Sequence, residues 1–125
     1  MQMVMAIAVG GAVGALARHY FASAVTKMAG MDFPYGTLAV NVLGSLIMGL
    51  LIATFAERLN GIPELRGFLT VGLLGSFTTF STYSMDTVLL IERGDWQAAI
   101  LYAFGSLFVG VLALVAGLWL GRLFV

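Results

Sequence analysis

Charged side chains are scarce along this chain, and their placement divides it into four apolar stretches. No Asp, Glu, Lys or Arg occurs in residues 1–17, 33–56, 67–85 or 96–121. A helix that crosses a bilayer needs about 20 predominantly apolar residues, within a range of about 17–25. The runs predict four spanning helices at 3–26, 35–56, 67–90 and 96–122, with Arg18 near the end of the first. The connections KMAGMDFPYG, ERLNGIPELR and ERGD hold the turn formers and most of the charge. Trp96 and Trp119 bracket the last span. Their separation in a helix rising about 1.5 Å per residue is about 35 Å, near the distance between the two interfacial belts. So little lies outside the spans that residues 1–125 read as one integral-membrane domain.

Composition agrees. The chain is 61% hydrophobic and 10% charged, with a mean hydropathy of +1.03, where a soluble domain carries about 25% charged residues. A cleaved signal peptide is the alternative for the first segment. Its opening MQM lacks a positive side chain and an Arg follows GALA directly, so cleavage is not expected. The absence of cysteine excludes disulfides and thiolate metal sites. A net charge of zero offers no sign of a nucleic-acid partner or a polybasic lipid contact.

The cations are balanced as well. Arg58, Arg66 and Arg122 fall on one side of the predicted topology, and Arg18, Lys27 and Arg93 on the other. Orientation follows Lys/Arg bias in short loops, and here there is none. The balance predicts a dual-topology chain that pairs antiparallel with a second copy; a single weakly biased topology is the alternative. Small residues recur four apart at Gly10/Gly14, Ser45/Gly49, Ser106/Gly110 and Gly117/Gly121. In lipid such pairs allow close backbone approach, so they predict a tightly packed bundle.

The polar groups that remain at depth are Thr37, Asn41, Ser45, Asp86, Tyr102, Ser106 and the stretch GSFTTFSTYS at 75–84, in which seven of ten residues carry a hydroxyl. Polar groups inside a membrane face a bundle interior or a watery cavity. Asn41, about two turns into the second span, is either interhelical glue or part of a pore. Gly72 and Gly75 precede a Ser/Thr run of low helix propensity, which predicts a break near the middle of the third span. The alternative is a continuous helix whose hydroxyls bond the preceding turn. Broken spans present carbonyls to small cations and helix N-termini to anions. No Lys, Arg or carboxylate lies near the midplane, and Asp86 sits about two turns from the ERGD loop. Hydroxyls, an amide and the positive edges of phenyl rings suit a small, hard anion. Arg18 either concentrates anions at an entrance or snorkels to the surface, and His19 beside it reads as interfacial.

GGAVGALARHY, GTLAVNVLGS and above all GSFTTFSTYS resemble the Fluc fluoride channels, the CrcB-type proteins of bacteria, across all four spans. The resemblance implies a fluoride-selective channel in the bacterial inner membrane, assembled as an antiparallel dual-topology homodimer with two pores. On it, Asn41 corresponds to the pore asparagine and Phe80 to the first of two pore phenylalanines, whose ring edges line the path. Tyr83 stands where the second usually sits, a departure that keeps an aromatic edge and adds a phenolic donor. The hydroxyls of Thr79, Ser81 and Thr82 would join Asn41 and Phe80 in replacing fluoride's water shell. Tyr102 and Ser106 resemble the start of a polar track whose later positions are here Gly110 and Leu114. Gly75 and Thr78 match positions whose carbonyls hold a central sodium ion, and Asp86 replaces a common glutamate.

Two other readings remain. A small proton-coupled secondary transporter would need a titratable group on its path, for which Asp86 is the candidate. A non-transporting assembly subunit would use the small-residue stripes but leave the Ser/Thr cluster unexplained. No nucleophile–base pair, metal cluster or Gly-rich phosphate loop supports an enzyme.

Overall fold

A computed structural model describes the chain except for Leu59 and the side chain of Glu57, so that part of the predicted ERLNGIPELR turn lies outside the described residues. Every regular element described is helical. Helix α1 is Gln2–Ala29, α2 is Tyr35–Glu57, α3 covers residues 63–77, α4 is Phe80–Glu92 and α5 is Trp96–Phe124. Three of them, α1, α2 and α5, are long and apolar enough to cross a membrane unbroken. The third predicted span is divided between α3 and α4.

The third span also starts earlier than its charges suggested. Pro63 occupies the first turn with Glu64 beside it. Proline's fixed φ and missing N–H suit a helix start, and a carboxylate there complements the positive end of the helix dipole. Beyond Arg66 the backbone winds as a π-helix over Gly67–Leu74 and returns to α-geometry at Gly75–Phe77. A π-helix of eight residues is far longer than the usual single-turn bulge. Nothing in the hydrophobic pattern foretold it.

Packing runs in two close pairs. Helix α1 lies against α3, and α2 against α5; α4 leans mainly on α5. Glycine makes both pairs possible. A Cβ built on Gly14 would run into the Leu73 carbonyl of α3, and one on Gly117 into the Leu46 carbonyl of α2. Lipid gives apolar side chains no reason to associate, so such backbone-to-backbone contact carries helix pairing in a membrane. The Gly10/Gly14 and Gly117/Gly121 pairs, and Gly49, are therefore used within one chain.

Two small cores flank the divided span. Val40, Leu74 and Phe77 form one beside the break, and Leu90, Ala99 and Tyr102 form the other nearer the α4–α5 turn. The outer faces are apolar and exposed, among them Val13, Leu16, Leu101, Phe108 and Leu112. Such a surface fits lipid rather than water. The ends of the bundle are polar. Arg93 donates to the Asp32 carbonyl at 2.7 Å and lies 3.6 Å from Asp95, joining two turns at one end. At the opposite end Arg58 reaches the Val125 carbonyl at 3.5 Å.

Candidate functional site

The break falls at Thr78 and Thr79, whose backbones are extended at φ −83°, ψ 157° and φ −151°, ψ 122°. The local sequence prepares it. Thr78 closes α3 by donating both its N–H and its hydroxyl to the Leu74 carbonyl, at 3.0 and 2.9 Å. Thr79 opens α4 as its N-cap, its hydroxyl oxygen accepting from the Thr82 N–H at 3.2 Å. What holds the two residues extended comes from another helix. Asn41 of α2 donates to the Thr79 carbonyl at 3.0 Å and accepts the Thr79 N–H at 2.8 Å. In an unbroken helix that N–H would bond the Gly75 carbonyl. The amide takes its place, so Asn41 is structural glue for the break, with amide capacity left toward the open side.

That side is a groove of about 640 Å³, with α2, α4 and α5 as its walls. Asn41, Thr79, Phe80, Tyr83 and Ser106 all line it, together with Ser45, read from the sequence both as half of a packing pair and as a polar group at depth. The polar members are neutral. The hydroxyl oxygen of Ser106 is buried without a hydrogen-bond partner among the described residues. Phe80 stands at the mouth, 78% exposed despite its size.

Rings continue inward from Phe80. Its centroid lies 5.6 Å from that of Tyr83, Tyr83 is 5.4 Å from Tyr102, and Tyr102 meets Phe33 edge-on at 5.5 Å. The Tyr83 hydroxyl donates to the Ala103 carbonyl of α5 at 2.7 Å. The donor that distinguishes this tyrosine from a phenylalanine is thus spent on holding α4 to α5. Tyr102 is buried behind it and donates to Asp86 at 3.0 Å. Neither Tyr102 nor Asp86 lines the groove itself.

Across the break lies a second cavity, of about 490 Å³, which Arg18, His19, Lys27, Thr37, Thr79 and Thr82 help to line. Arg18 does not sit at a helix end, because α1 runs on to Ala29. Its guanidinium points at the break, 3.5 Å from the Thr78 carbonyl. Sequence alone could not reveal that contact between residues 60 positions apart. Ser81 is exposed and lines neither cavity, and Gly75 is exposed on α3.

Two carbonyls at the negative end of α3 are thus freed from helical pairing: Gly75, whose expected donor is diverted to Asn41, and Thr78, which among the described residues meets only the long Arg18 contact. Neutral oxygens at a half-helix C-terminus are the donor type that holds sodium in broken membrane helices. At the positive end, α4 offers its first N–H groups.

A helical membrane chain with an interrupted span, and beside the interruption a groove whose polar groups are all neutral, is built like a channel or small transporter. Comparison with known proteins narrows this. The family described as CrcB-like protein, Camphor Resistance (CrcB), matches residues 5–118. The chain belongs to that family. A relative from Agrobacterium fabrum is 47% identical over 116 residues, covering 93% of each chain. One from Chelativorans sp. is 46% identical over 122 residues, covering 98% of each. One from Magnetococcus marinus is 48% identical over 117 residues, 94% of this chain and 95% of its own. All three are named fluoride-specific ion channel FluC.

Proposed function

We propose that this chain is a fluoride-selective ion channel, which lets fluoride leave a bacterial cytoplasm passively across the inner membrane. The observation that carries the reading is the groove at the break, in a chain whose relatives at near-complete coverage are named fluoride-specific channels. Asn41, Thr79, Ser106 and the Phe80 edge would replace fluoride's hydration in steps, and none is charged, so none would trap the ion. The Thr82 hydroxyl and the Arg18 and Lys27 charges across the break would serve the approach of an anion. Ser81, exposed on α4, would reach the ion only beside a second copy.

A second copy is part of this proposal. The groove leaves the Ser45 and Ser106 hydroxyls without partners among the described residues, and in lipid unsatisfied polar groups cost several kcal/mol each. An antiparallel pair would cover them, and the near balance of cations between the two ends, three against two once Arg18 is counted at the break, supports insertion both ways. Sodium fits the Gly75 and Thr78 carbonyls in donor type. Two copies would double the donor set, and the ion would supply a fixed positive field at the centre. Cysteines at the N-terminus should label from both sides of intact cells. Labelling from one side alone rules out dual topology.

Hydrogen fluoride enters cells as a neutral weak acid and leaves fluoride behind in a more alkaline cytoplasm. A passive channel would drain it down the membrane potential. A proton-coupled transporter is the competing reading, favoured by the Asp86–Tyr102 hydrogen bond behind the groove. Efflux from liposomes holding only this protein separates the two. Fluoride loss that requires valinomycin and leaves chloride behind marks an electrogenic selective channel. Fluoride movement only under a pH gradient marks the transporter.

A further inference from the structure

Of the fourteen Ser and Thr hydroxyls in this chain, six are occupied by their own backbone. Those of Thr26, Thr54, Thr70, Thr78, Ser84 and Thr87 each donate to the carbonyl four residues earlier. Ser45 could bond the Asn41 carbonyl in the same way, but among the described residues it does not. Its side chain lines the groove with its hydroxyl uncommitted, as does Ser106.

The position of Ser45 gives that hydroxyl a use. It lies one turn beyond Asn41 on α2, and Gly110 lies one turn beyond Ser106 on α5. These two helices run side by side in the same direction. A Cβ at Gly110 would stand 3.8 Å from the Ser45 Oγ, with nothing else within 4 Å. At this level the α5 wall is bare backbone, and the polar group comes from α2 instead. Further along, the walls turn apolar with Met48, Val111 and Leu114.

We propose that Ser45 is an anion-binding residue of the groove, whose hydroxyl donates to fluoride one helical turn beyond Asn41 and Ser106. It supplies from α2 the hydrogen bond that Gly110 cannot supply from α5. Without it, an ion leaving Ser106 in that direction would meet glycine, methionine and leucine with no donor between them. The inference rests on reading the groove as the fluoride path.

The test is fluoride efflux from liposomes carrying the wild type, Ser45→Ala, Gly110→Ser and the double variant Ser45→Ala/Gly110→Ser, each checked by size-exclusion chromatography for unchanged assembly. Ser45→Ala is expected to slow efflux about three- to tenfold, the range that the net worth of one neutral hydrogen bond translates into. The double variant is expected to regain wild-type efflux within about twofold, because a serine at 110 would restore a hydroxyl to the same level from the facing wall. Unchanged efflux in Ser45→Ala overturns the proposal. So does a loss that Gly110→Ser fails to restore, since Ser45 would then act through packing. A wild type that passes no fluoride would instead remove the channel reading, and this inference with it.

Discussion

Replacing Asn41 with leucine separates its structural role from its place in the groove. Two hydrogen bonds, at 2.8 and 3.0 Å, tie its amide to the N–H and carbonyl of Thr79. Leucine has a similar volume and can make neither. Each backbone group left unpaired costs about 1–3 kcal/mol when buried. Thr79 is only half-buried, so the lower part of that range applies twice, for a total of about 2–4 kcal/mol. The folded state should lose at least about thirtyfold in equilibrium, read from the SDS concentration that unfolds the protein in mixed micelles. Fluoride efflux should fall with it, because the extended Thr78–Thr79 backbone loses its tie to α2 and the groove loses its amide. Asn41→Asp is the informative companion. It keeps the acceptor for the Thr79 N–H but sets an oxygen against the Thr79 carbonyl and a negative charge in the groove. Its stability should lie between wild type and leucine, while its efflux is as low as leucine's. If Asn41→Leu matches the wild type in both stability and efflux, the reasoning about the break is wrong.

Other substitutions test other parts of the site. Phe80→Ile should cut fluoride efflux strongly while the protein stays folded, since the ring is 78% exposed and contributes little to the core; wild-type efflux would remove Phe80 from the path. Tyr83→Phe should cost about 0.5–1.5 kcal/mol in the same unfolding assay, the worth of its bond to Ala103, with fluoride selectivity kept. A loss of selectivity would mean that the hydroxyl itself meets the ion. Gly117→Ala should unfold at a clearly lower SDS concentration, since its methyl would collide with the Leu46 carbonyl, whereas Gly105→Ala, with nothing within 4 Å, should not. Equal behaviour of the two would contradict the backbone contact between α2 and α5.

The parts of this protein that sequence revealed were those set by composition and spacing. Uncharged runs located the helices to within a few residues, and the Gly10/Gly14 and Gly117/Gly121 pairs announced close packing. The low helix propensity of the 75–84 stretch pointed to a break. Thr78 and Thr79 lie where that expectation put it, near the middle of the 67–90 span; what holds the break was not legible, because it depends on Asn41, 38 residues away, taking the Thr79 N–H from the helical hydrogen bond. Arg18 illustrates the same limit. Its place in the sequence suggested an end of a span, but α1 continues past it and its guanidinium turns toward the Thr78 carbonyl. Tyr83 looked like an added donor in the groove until its acceptor, the Ala103 carbonyl, was seen on a neighbouring helix. Ser45 read both as half of a packing pair and as a polar group at depth, and nothing in its spacing could show that its hydroxyl goes unused.

The division of labour between the glycine-zipped pairs and α4 bears on how such a chain can change over generations. Where Gly14 meets Leu73 and Gly117 meets Leu46, even one added methyl is excluded by backbone. Drift at those sites is closed. Helix α4 is held to α5 by one phenol, one carboxylate contact and a pair of tilted rings, all replaceable one at a time. A random library of this protein should therefore accumulate its surviving variation along α4 and the groove wall. Ion preference can then be retuned by inheritance while the scaffold that shelters the path stays fixed.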